Sequence, residues 1–211
     1  MGTPVMVFGQ SGSGKSTSLR NFTPDEVCII NVSGKPLPFK NQHKTFNCDN
    51  YMEIDRAVKV APTRAIIIDD ATYLMTNEFM RGAKTSGYQK FTDMALNFWT
   101  LVQTAIQLPE DRVIYFLGHV DIDANGNEKF KTIGKLLDEK VTLEGLFTIV
   151  LKTVVTDGKY SFATQTNGAD TVKSPVGMFQ DRLIDNDLKA VDTAIREYWG
   201  IAPLNMKEDK K

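Results

Sequence analysis

The sequence predicts an α/β fold: a mainly parallel, twisted sheet flanked by helices, with a C-terminal antiparallel hairpin. Short apolar runs alternate with helical patterns through most of the chain. The runs at 65–68 and 113–117 are apolar throughout, which is typical of parallel strands covered on both faces. Residues 146–155 and 159–167 are β-rich and flank Asp157-Gly158, which predicts a hairpin that extends one edge of the sheet.

The remaining elements follow from local signals along the chain. Further strands are expected at 4–8, 27–32 and 44–48, and helices after residue 15 and at 51–60, 71–81, 91–105 and 187–199. Asn50 and Glu53 have the spacing of a capping box, which fixes the start of the helix at 51–60. The segment 33–44 contains two prolines and a glycine and is predicted to be a loop.

Composition and charge exclude several classes of protein. The 211 residues carry a formal charge of −1, which argues against a chain coated in positive charge for wrapping nucleic acid. We expect one domain over 1–200 and a charged, disordered tail at 201–211. The absence of a long apolar run excludes a membrane span, and the N-terminal strand leaves no room for a signal peptide. Cys28 and Cys48 lack metal-type spacing, so we expect reduced thiols in a cytoplasmic protein.

The strongest motif is the glycine-rich turn GQSGSGKST at 9–17, which has the P-loop pattern Gly-x-x-x-x-Gly-Lys-Ser. An apolar strand precedes it and a helical pattern follows it, as this motif requires. Its glycines let backbone N–H groups point at a polyphosphate, and a helix beginning at Lys15 would direct its positive dipole end at the same anion. Lys15 would reach the β and γ phosphates, and the Ser16 hydroxyl would ligate Mg²⁺. The predicted nucleotide-binding residues are Gly9, Gln10, Ser11, Gly12, Ser13, Gly14, Lys15, Ser16 and Thr17.

Polar residues end two of the buried strands. Asp69 and Asp70 follow the apolar run at 65–68, where Asp69 would hold the Mg²⁺ that Ser16 also ligates and Asp70 would orient or deprotonate a water. The alternative interpretation is a strand that runs into an acidic turn. His119 ends the next strand and is a candidate sensor of the γ-phosphate, with a purely structural histidine as the alternative.

The order of these motifs resembles that of RecA-like and AAA-type ATPases. More particularly, the chain resembles the phage-encoded Sak-type RecA-core proteins, which are single-strand annealing proteins. The motifs that carry this resemblance are VFGQSGSGKST at 7–17, AIIIDD at 65–70, FLGHVD at 116–121 followed by KTIGKLLDEK at 131–140, and TVKSPVGMF at 171–179. The guanine-reading Asn-Lys-x-Asp pattern and the arginine-rich lid of nucleotide kinases are absent.

The resemblance implies a RecA-like P-loop NTPase core that uses ATP and Mg²⁺ and binds single-stranded DNA as a homo-oligomer, either a ring or a filament. The resemblance also allows a single-strand-binding protein as a further partner. A phage origin would place the protein in the cytoplasm of a bacterial host. Two mobile loops, at 81–90 and 121–135, would line the DNA channel, with Tyr88 or Phe130 stacking on bases. The implied DNA-binding residues are Arg81, Lys84, Tyr88, Lys90, Lys129 and Lys131.

RecA-like ATPases also complete the ATP site with a basic residue of a neighbouring subunit. Lys173 is the candidate for this catalytic contact, and Lys135 is the second. The chain departs from RecA proteins at 31–35, where no catalytic glutamate follows the second strand. This departure transfers the water-activating role to Asp70 and implies slow turnover. Two other functions stay open: a nucleotide-gated assembly or binding protein with little hydrolysis, and a small P-loop kinase.

Overall fold

A computed structural model describes residues 1–84 and 86–204, without the side chains of residues 138 and 139. The predicted tail at 201–211 therefore lies outside the described residues from position 205 onward. The strands in this part of the chain are β1 (Thr3–Gly9), β2 (Val27–Asn31), β3 (Thr45–Asn47), β4 (Ala65–Asp69), β5 (Val113–Ile122), β6 (Glu128–Phe130), β7 (Ile149–Thr156), β8 (Lys159–Ala163) and β9 (Leu183–Asp185). The α-helices are α1 (Tyr51–Val60), α2 (Thr72–Arg81), α3 (Gln89–Gln107) and α4 (Leu188–Trp199).

The strands form one mostly parallel sheet in the order β3-β2-β4-β5-β1-β7-β8-β9, and β6 pairs with the far end of β5. Strands β1 to β5 and β7 run parallel. At one edge, β7 and β8 form the antiparallel hairpin that the sequence predicts, and β9 adds a further antiparallel pair. The register sets Gly9 of β1 beside His119 of β5, and Asn31 of β2 beside Asp69 of β4. The carboxyl ends of these strands therefore meet at one edge, where ligands bind in open α/β sheets.

Both faces of the sheet are covered, which explains the continuous apolar runs. Alternate residues of each strand point to opposite faces. One face, which includes Phe8, Ile68 and Phe116, packs against α1, α2 and α3. The opposite face, which includes Val7 and Ile67, packs against α4 and the segment after the glycine turn.

Side-chain caps begin two of the helices, and the sequence predicts the first of them, at Asn50. The Asn50 carboxamide oxygen accepts hydrogen bonds from the backbone N–H groups of Met52 and Glu53, at 2.9 and 3.3 Å. Asp187 caps α4 in the same way, and Gly200 ends that helix in the left-handed region at φ 63°. Within residues 1–84 and 86–204, every helix is too short or too polar to cross a lipid bilayer.

Two segments differ from the sequence-based prediction near the glycine turn. The predicted helix from Lys15 is a 3₁₀ helix of six residues, Ser16–Asn21, so any dipole at its start is weaker than that of a full α-helix. The segment 121–135, which the resemblance implies is a mobile loop, contains a β-hairpin, because β5 continues to Ile122 and pairs with β6. The Asn125-Gly126 pair between these strands is a hairpin or tight-turn signal in the sequence. In addition, β9 and the short helical turns at 136–146 are not predicted from the sequence.

A partly buried ion cluster holds this hairpin against the sheet. The Lys152 ammonium on β7 donates to Glu128 of β6 at 2.6 Å and to Asp170 at 2.7 Å. On the other side of the hairpin, the Lys131 N–H donates to the carbonyl oxygen of His119 at 2.8 Å. The base of the hairpin is thus attached to the strand end that carries His119.

Candidate functional site

The glycine turn after β1 packs tightly against β7. A Cβ atom at Gly9 would lie 1.9 Å from the Thr153 hydroxyl oxygen, so only glycine fits there. The Ser13 hydroxyl lies 2.5 Å from the same Thr153 oxygen and donates to the Gln10 carbonyl oxygen at 2.6 Å. Gly14 has φ +97°, a backbone conformation that other residues rarely adopt. These contacts hold the loop as a curved cradle.

Lys15 lies at the bottom of this cradle and is only 6% exposed. Its ammonium donates to the carbonyl oxygens of Gly9 and Gln10, at 2.9 and 2.8 Å. Burial lowers the pKa of Lys15, and the nearby carboxylates of Asp70 and Asp69 oppose that shift. The loop therefore presents a buried cation to the cavity beside it.

Ser16 and Asp69 meet across the carboxyl edge of the sheet. The Ser16 hydroxyl donates to the Asp69 carboxylate at 2.9 Å, although the two residues are 53 positions apart. Burial, reinforced by the neighbouring Asp70, raises the pKa of Asp69 to about 6, while the hydrogen bond from Ser16 opposes this rise. The structure thus brings together the two oxygen ligands that the sequence predicts for Mg²⁺.

The donor set at this point fits a hard divalent cation. A serine hydroxyl and a carboxylate are oxygen ligands of the kind that Mg²⁺ prefers. Within the described residues, no cluster of three or more His, Cys, Asp or Glu side chains could hold a metal ion. A cation here would therefore use Ser16 and Asp69 and take its other ligands from phosphate and water oxygens.

Asp70 and His119 lie side by side at the end of the sheet. Asp70 has φ +60°, a strained conformation for a residue with a side chain and one that often marks functional sites. Its carboxylate lies 3.6 Å from His119 Nε2. That nitrogen is buried and lacks a hydrogen-bond partner among the described residues, and burial together with Lys15 lowers the pKa of His119. His119 Nε2 is therefore available to form a hydrogen bond with a ligand in the cavity.

These groups line one cavity of about 250 Å³. Its walls come from the glycine turn, the ends of β4 and β5, the start of α2 and the loop after β2. The lining residues are Ser11, Gly12, Gly14, Lys15, Ser16, Thr17, Ser33, Lys35, Pro36, Pro38, Asp69, Asp70, Tyr73 and His119. Six of the nine predicted nucleotide-binding residues are in this wall, and Gly9, Gln10 and Ser13 support it from behind.

The sequence-based interpretation missed the wall that the loop after β2 contributes. Ser33, Lys35, Pro36 and Pro38 line the cavity, and Tyr73 of α2 lies with its ring centroid 5.4 Å from that of His119. The signal available in the sequence was positional: this loop follows the carboxyl end of a parallel strand, where ligands bind. No motif or residue type in this loop identifies it as part of a binding site.

The predicted DNA-binding residues have diverse surroundings. Arg81 forms an ion pair with Asp49 at 2.6 Å, and the Lys90 ammonium lies over the rings of Phe79 and Phe91. Lys84, Tyr88 and Lys131 are exposed, and Tyr88 is 90% exposed, whereas Lys129 is half-buried. The proposed stacking role of Phe130 is wrong, because this ring is 1% exposed and packs against Phe98.

The two candidates for a contact from a neighbouring subunit lie away from the cavity wall. Lys173 is exposed, and its backbone exchanges hydrogen bonds with Val150 at 2.8 and 2.9 Å. Lys135 is exposed at the start of the helical turn after the hairpin. Neither lysine is among the described residues that line the cavity of its own chain.

Comparisons with known proteins leave the family open. No protein-family model matches the sequence. No curated protein matches it significantly.

Proposed function

We propose that the cavity binds Mg-ATP and that the protein is an ATPase with a RecA-like P-loop core. The observation that carries this proposal is the 2.9 Å hydrogen bond between Ser16 and Asp69, beside the buried Lys15 ammonium. The sequence predicts these groups as parts of one Mg-triphosphate site, and they lie within one cavity. The proposed contact of His119 with the γ-phosphate is supported by its position in this cavity, at the end of β5, which lies between β1 and β4.

Each side chain has a distinct part in this proposal. The turn supplies N–H groups and Lys15 supplies positive charge to the β and γ phosphates. Ser16 and Asp69 would hold Mg²⁺, which when bound neutralises charge that develops on the phosphate oxygens. Asp70 orients the attacking water or accepts its proton, and His119 Nε2 gains a hydrogen-bond partner near the γ-phosphate.

The proposal includes a role on single-stranded DNA, namely strand annealing by a homo-oligomer, which rests on the resemblance to Sak-type proteins. Exposed Lys84, Tyr88 and Lys131 offer positive charge and a stacking ring. The segments that carry them are neighbours, because Gly134 packs beside Phe91 at the start of α3. Charge and an aromatic ring on adjacent segments are what sequence-tolerant single-strand binding uses.

A second candidate is a nucleotide-gated assembly protein with little hydrolysis. The end of β2 favours this candidate, because its last residue, Asn31, is 3% exposed and its side chain forms hydrogen bonds with the following loop rather than lining the cavity. Asp70 alone would then have to activate water. ATP-dependent association of the wild-type protein without phosphate release would support this candidate. A small P-loop kinase is less favoured, since no arginine-rich lid follows β4.

Calorimetric titration with ATP, in the presence and absence of Mg²⁺, tests the proposed site. We expect the wild-type protein to bind Mg-ATP more tightly than ATP alone, and Asp69→Asn to bind both equally, because the amide is a much poorer magnesium ligand. Absence of binding heat from the wild-type protein with Mg-ATP would refute the proposal.

Asp69→Asn also has an expected effect on stability without ligand. The pKa of Asp69 is raised from 3.8 to about 6, so the folded protein binds more protons than the unfolded chain between these values. The stability of the wild-type protein therefore falls as pH rises through this window. The neutral amide avoids that cost, so we expect the free variant to be more stable at pH 7.5 by roughly 1–3 kcal/mol. Equal urea midpoints at pH 7.5 would contradict this.

The DNA role predicts a change in the salt dependence of binding. Lys84→Ala combined with Lys131→Ala should weaken single-strand binding and reduce the slope of log K against log salt by about 1.4, since each phosphate contact contributes about 0.7. Fluorescence anisotropy with a labelled oligonucleotide over a salt series measures this slope. Lys40→Ala with Lys44→Ala is the matched control, because both lysines are exposed in the loop after β2. An unchanged slope in the first variant would remove these lysines from the interface.

A further inference from the structure

We propose that Lys35, from the same chain as the P-loop, contacts the terminal phosphate and is the residue that distinguishes ATP from ADP. This inference rests on the proposed function of the cavity. Lys35 lines the cavity, with its ammonium 4.0 Å from the Asp70 carboxylate and 5.0 Å from the centroid of the Tyr73 ring. It therefore lies on the wall that Asp70 and His119 share, apart from Lys15 under the glycine turn.

The backbone of Lys35 is fixed although its side chain is not. The buried Asn31 carboxamide donates to the Lys35 carbonyl oxygen at 2.7 Å and accepts from the Gly34 N–H at 2.9 Å. Pro36 directly after it, and Pro38 two positions further on, restrict φ in this segment. The Lys35 side chain is 66% exposed, so its ammonium can move while the Lys35 backbone stays in place. Asn31 therefore fixes the backbone from which the Lys35 side chain extends toward the cavity.

The present partner of Lys35 is weakly held. A separation of 4.0 Å with one exposed member is a surface ion pair, and such pairs contribute about 0–1 kcal/mol. Lys15, by contrast, is held by two carbonyl oxygens inside the turn. A terminal phosphate beside Asp70 would bring negative charge to a wall that already carries two carboxylates. Lys35 is the cation that can move from Asp70 to that phosphate at little cost.

This contact would act on hydrolysis as well as on binding. In the reaction, a water oxygen forms a bond to the γ-phosphorus while the bond from that phosphorus to the β–γ bridging oxygen breaks. The bridging oxygen leaves with its electron pair on ADP, and the water proton passes to Asp70 and then to solvent. Lys35 on the γ-phosphate oxygens would stabilise the charge that spreads over them in the transition state.

The proposal assigns in cis a role that the resemblance gives to a neighbouring subunit. Lys173 is exposed, forms a backbone bridge to Val150 and does not line the cavity of its own chain. Lys35 already lines that cavity, so one subunit would contain both cations of the site. ATP recognition would then not require assembly.

Binding constants for ADP and for a nonhydrolysable ATP analogue, both with Mg²⁺, test the contact. For Lys35→Ala we expect ADP affinity within about twofold of wild type and analogue affinity reduced about 10- to 100-fold, as for loss of a charged hydrogen bond. Lys35→Arg should retain most of the discrimination. Lys40→Ala, on the same loop but outside the cavity wall, should behave as wild type. Equal effects on both nucleotides, or none, would overturn the proposal, whereas failure of the wild-type protein to bind either nucleotide would instead refute the ATP site itself.

A mixing experiment separates action in cis from action in trans. Lys35→Ala protein is mixed with Lys15→Ala protein, and phosphate release and analogue binding are measured for the mixture. In cis, every subunit lacks one required cation, so the mixture should equal the average of its components. Recovery of analogue affinity or turnover above that average would show that a neighbour supplies Lys35, and would overturn the assignment in cis.

Discussion

Lys15→Ala is expected to lower the affinity for Mg-ATP by at least about 100-fold, which corresponds to roughly 2.7 kcal/mol. Lys15 is the only lysine of the glycine turn, and it is 6% exposed. Its ammonium donates hydrogen bonds to the carbonyl oxygens of Gly9 and Gln10. Alanine removes the buried charge that would face the β and γ phosphates. Lys35, which is only weakly paired with Asp70, then remains as the one lysine among the described residues that line the cavity, beside the Asp69 and Asp70 carboxylates.

Ligand-induced stabilisation provides an independent readout of this variant. At a ligand concentration of 100 times Kd, binding stabilises the folded state by about 2.7 kcal/mol. Wild-type protein should therefore unfold at a higher temperature with Mg-ATP, whereas Lys15→Ala should be stabilised by at most about 0.4 kcal/mol at the same concentration and show a much smaller shift. Lys59→Ala, on the exposed side of α1, is the matched loss of a lysine charge and should respond as wild type. A full thermal shift in Lys15→Ala would contradict the assignment of this lysine.

Asp192→Ala should reduce the free energy of unfolding by about 3–5 kcal/mol, because it leaves a buried charge without its partner. Asp192 is fully buried on α4, where it accepts hydrogen bonds from the Tyr115 hydroxyl, at 2.8 Å, and from the Arg196 guanidinium. Arg196 is 3% exposed, and burial raises the pKa of Tyr115 well above its usual value. Both groups would lose their shared buried carboxylate, and the Arg196 guanidinium would keep only the carbonyl oxygens of Asp111 and Ala202 as acceptors among the described residues.

Removal of the whole polar network is the control for this prediction. Replacing Asp192, Arg196 and Tyr115 together by Leu, Met and Phe eliminates the unpaired charge, so it should cost less than Asp192→Ala alone. Urea denaturation with a check of constant m value measures both changes. Greater destabilisation in the triple variant than in Asp192→Ala would show that the network itself, and not the orphaned arginine, determines the loss.

The parts of the fold that could be predicted are those with strong local signals. The all-apolar runs indicated β4 and the first half of β5, and Asn50 fixed the start of α1 through its side chain. The convergence of Ser16 and Asp69 was also predictable, because parallel strands bring their carboxyl ends to one edge. Local chemistry and a general rule of topology were sufficient in these cases.

The remaining features depend on contacts between distant parts of the chain. Phe130 is flanked by lysines and resembles an exposed ring, but the hairpin turns it onto Phe98. Arg81 ends α2 in a basic segment, yet its partner Asp49 lies 32 positions earlier. Lys35 sits in a loop without a motif, and only the spatial order of β2 and β4 brings it beside Asp70. No local pattern contains that information.

The outermost strands of the sheet restrict how copies of this chain could associate. In the part of the chain that the structure describes, the sheet ends at β3 and β9, and each of these strands has three residues. Such short ends expose few unpaired N–H and C=O groups, so they are poor templates for pairing with another sheet. A ring or filament of these subunits would have to be held together by side-chain contacts between helices and loops, and its assembly should respond to surface mutations rather than to changes in backbone pairing.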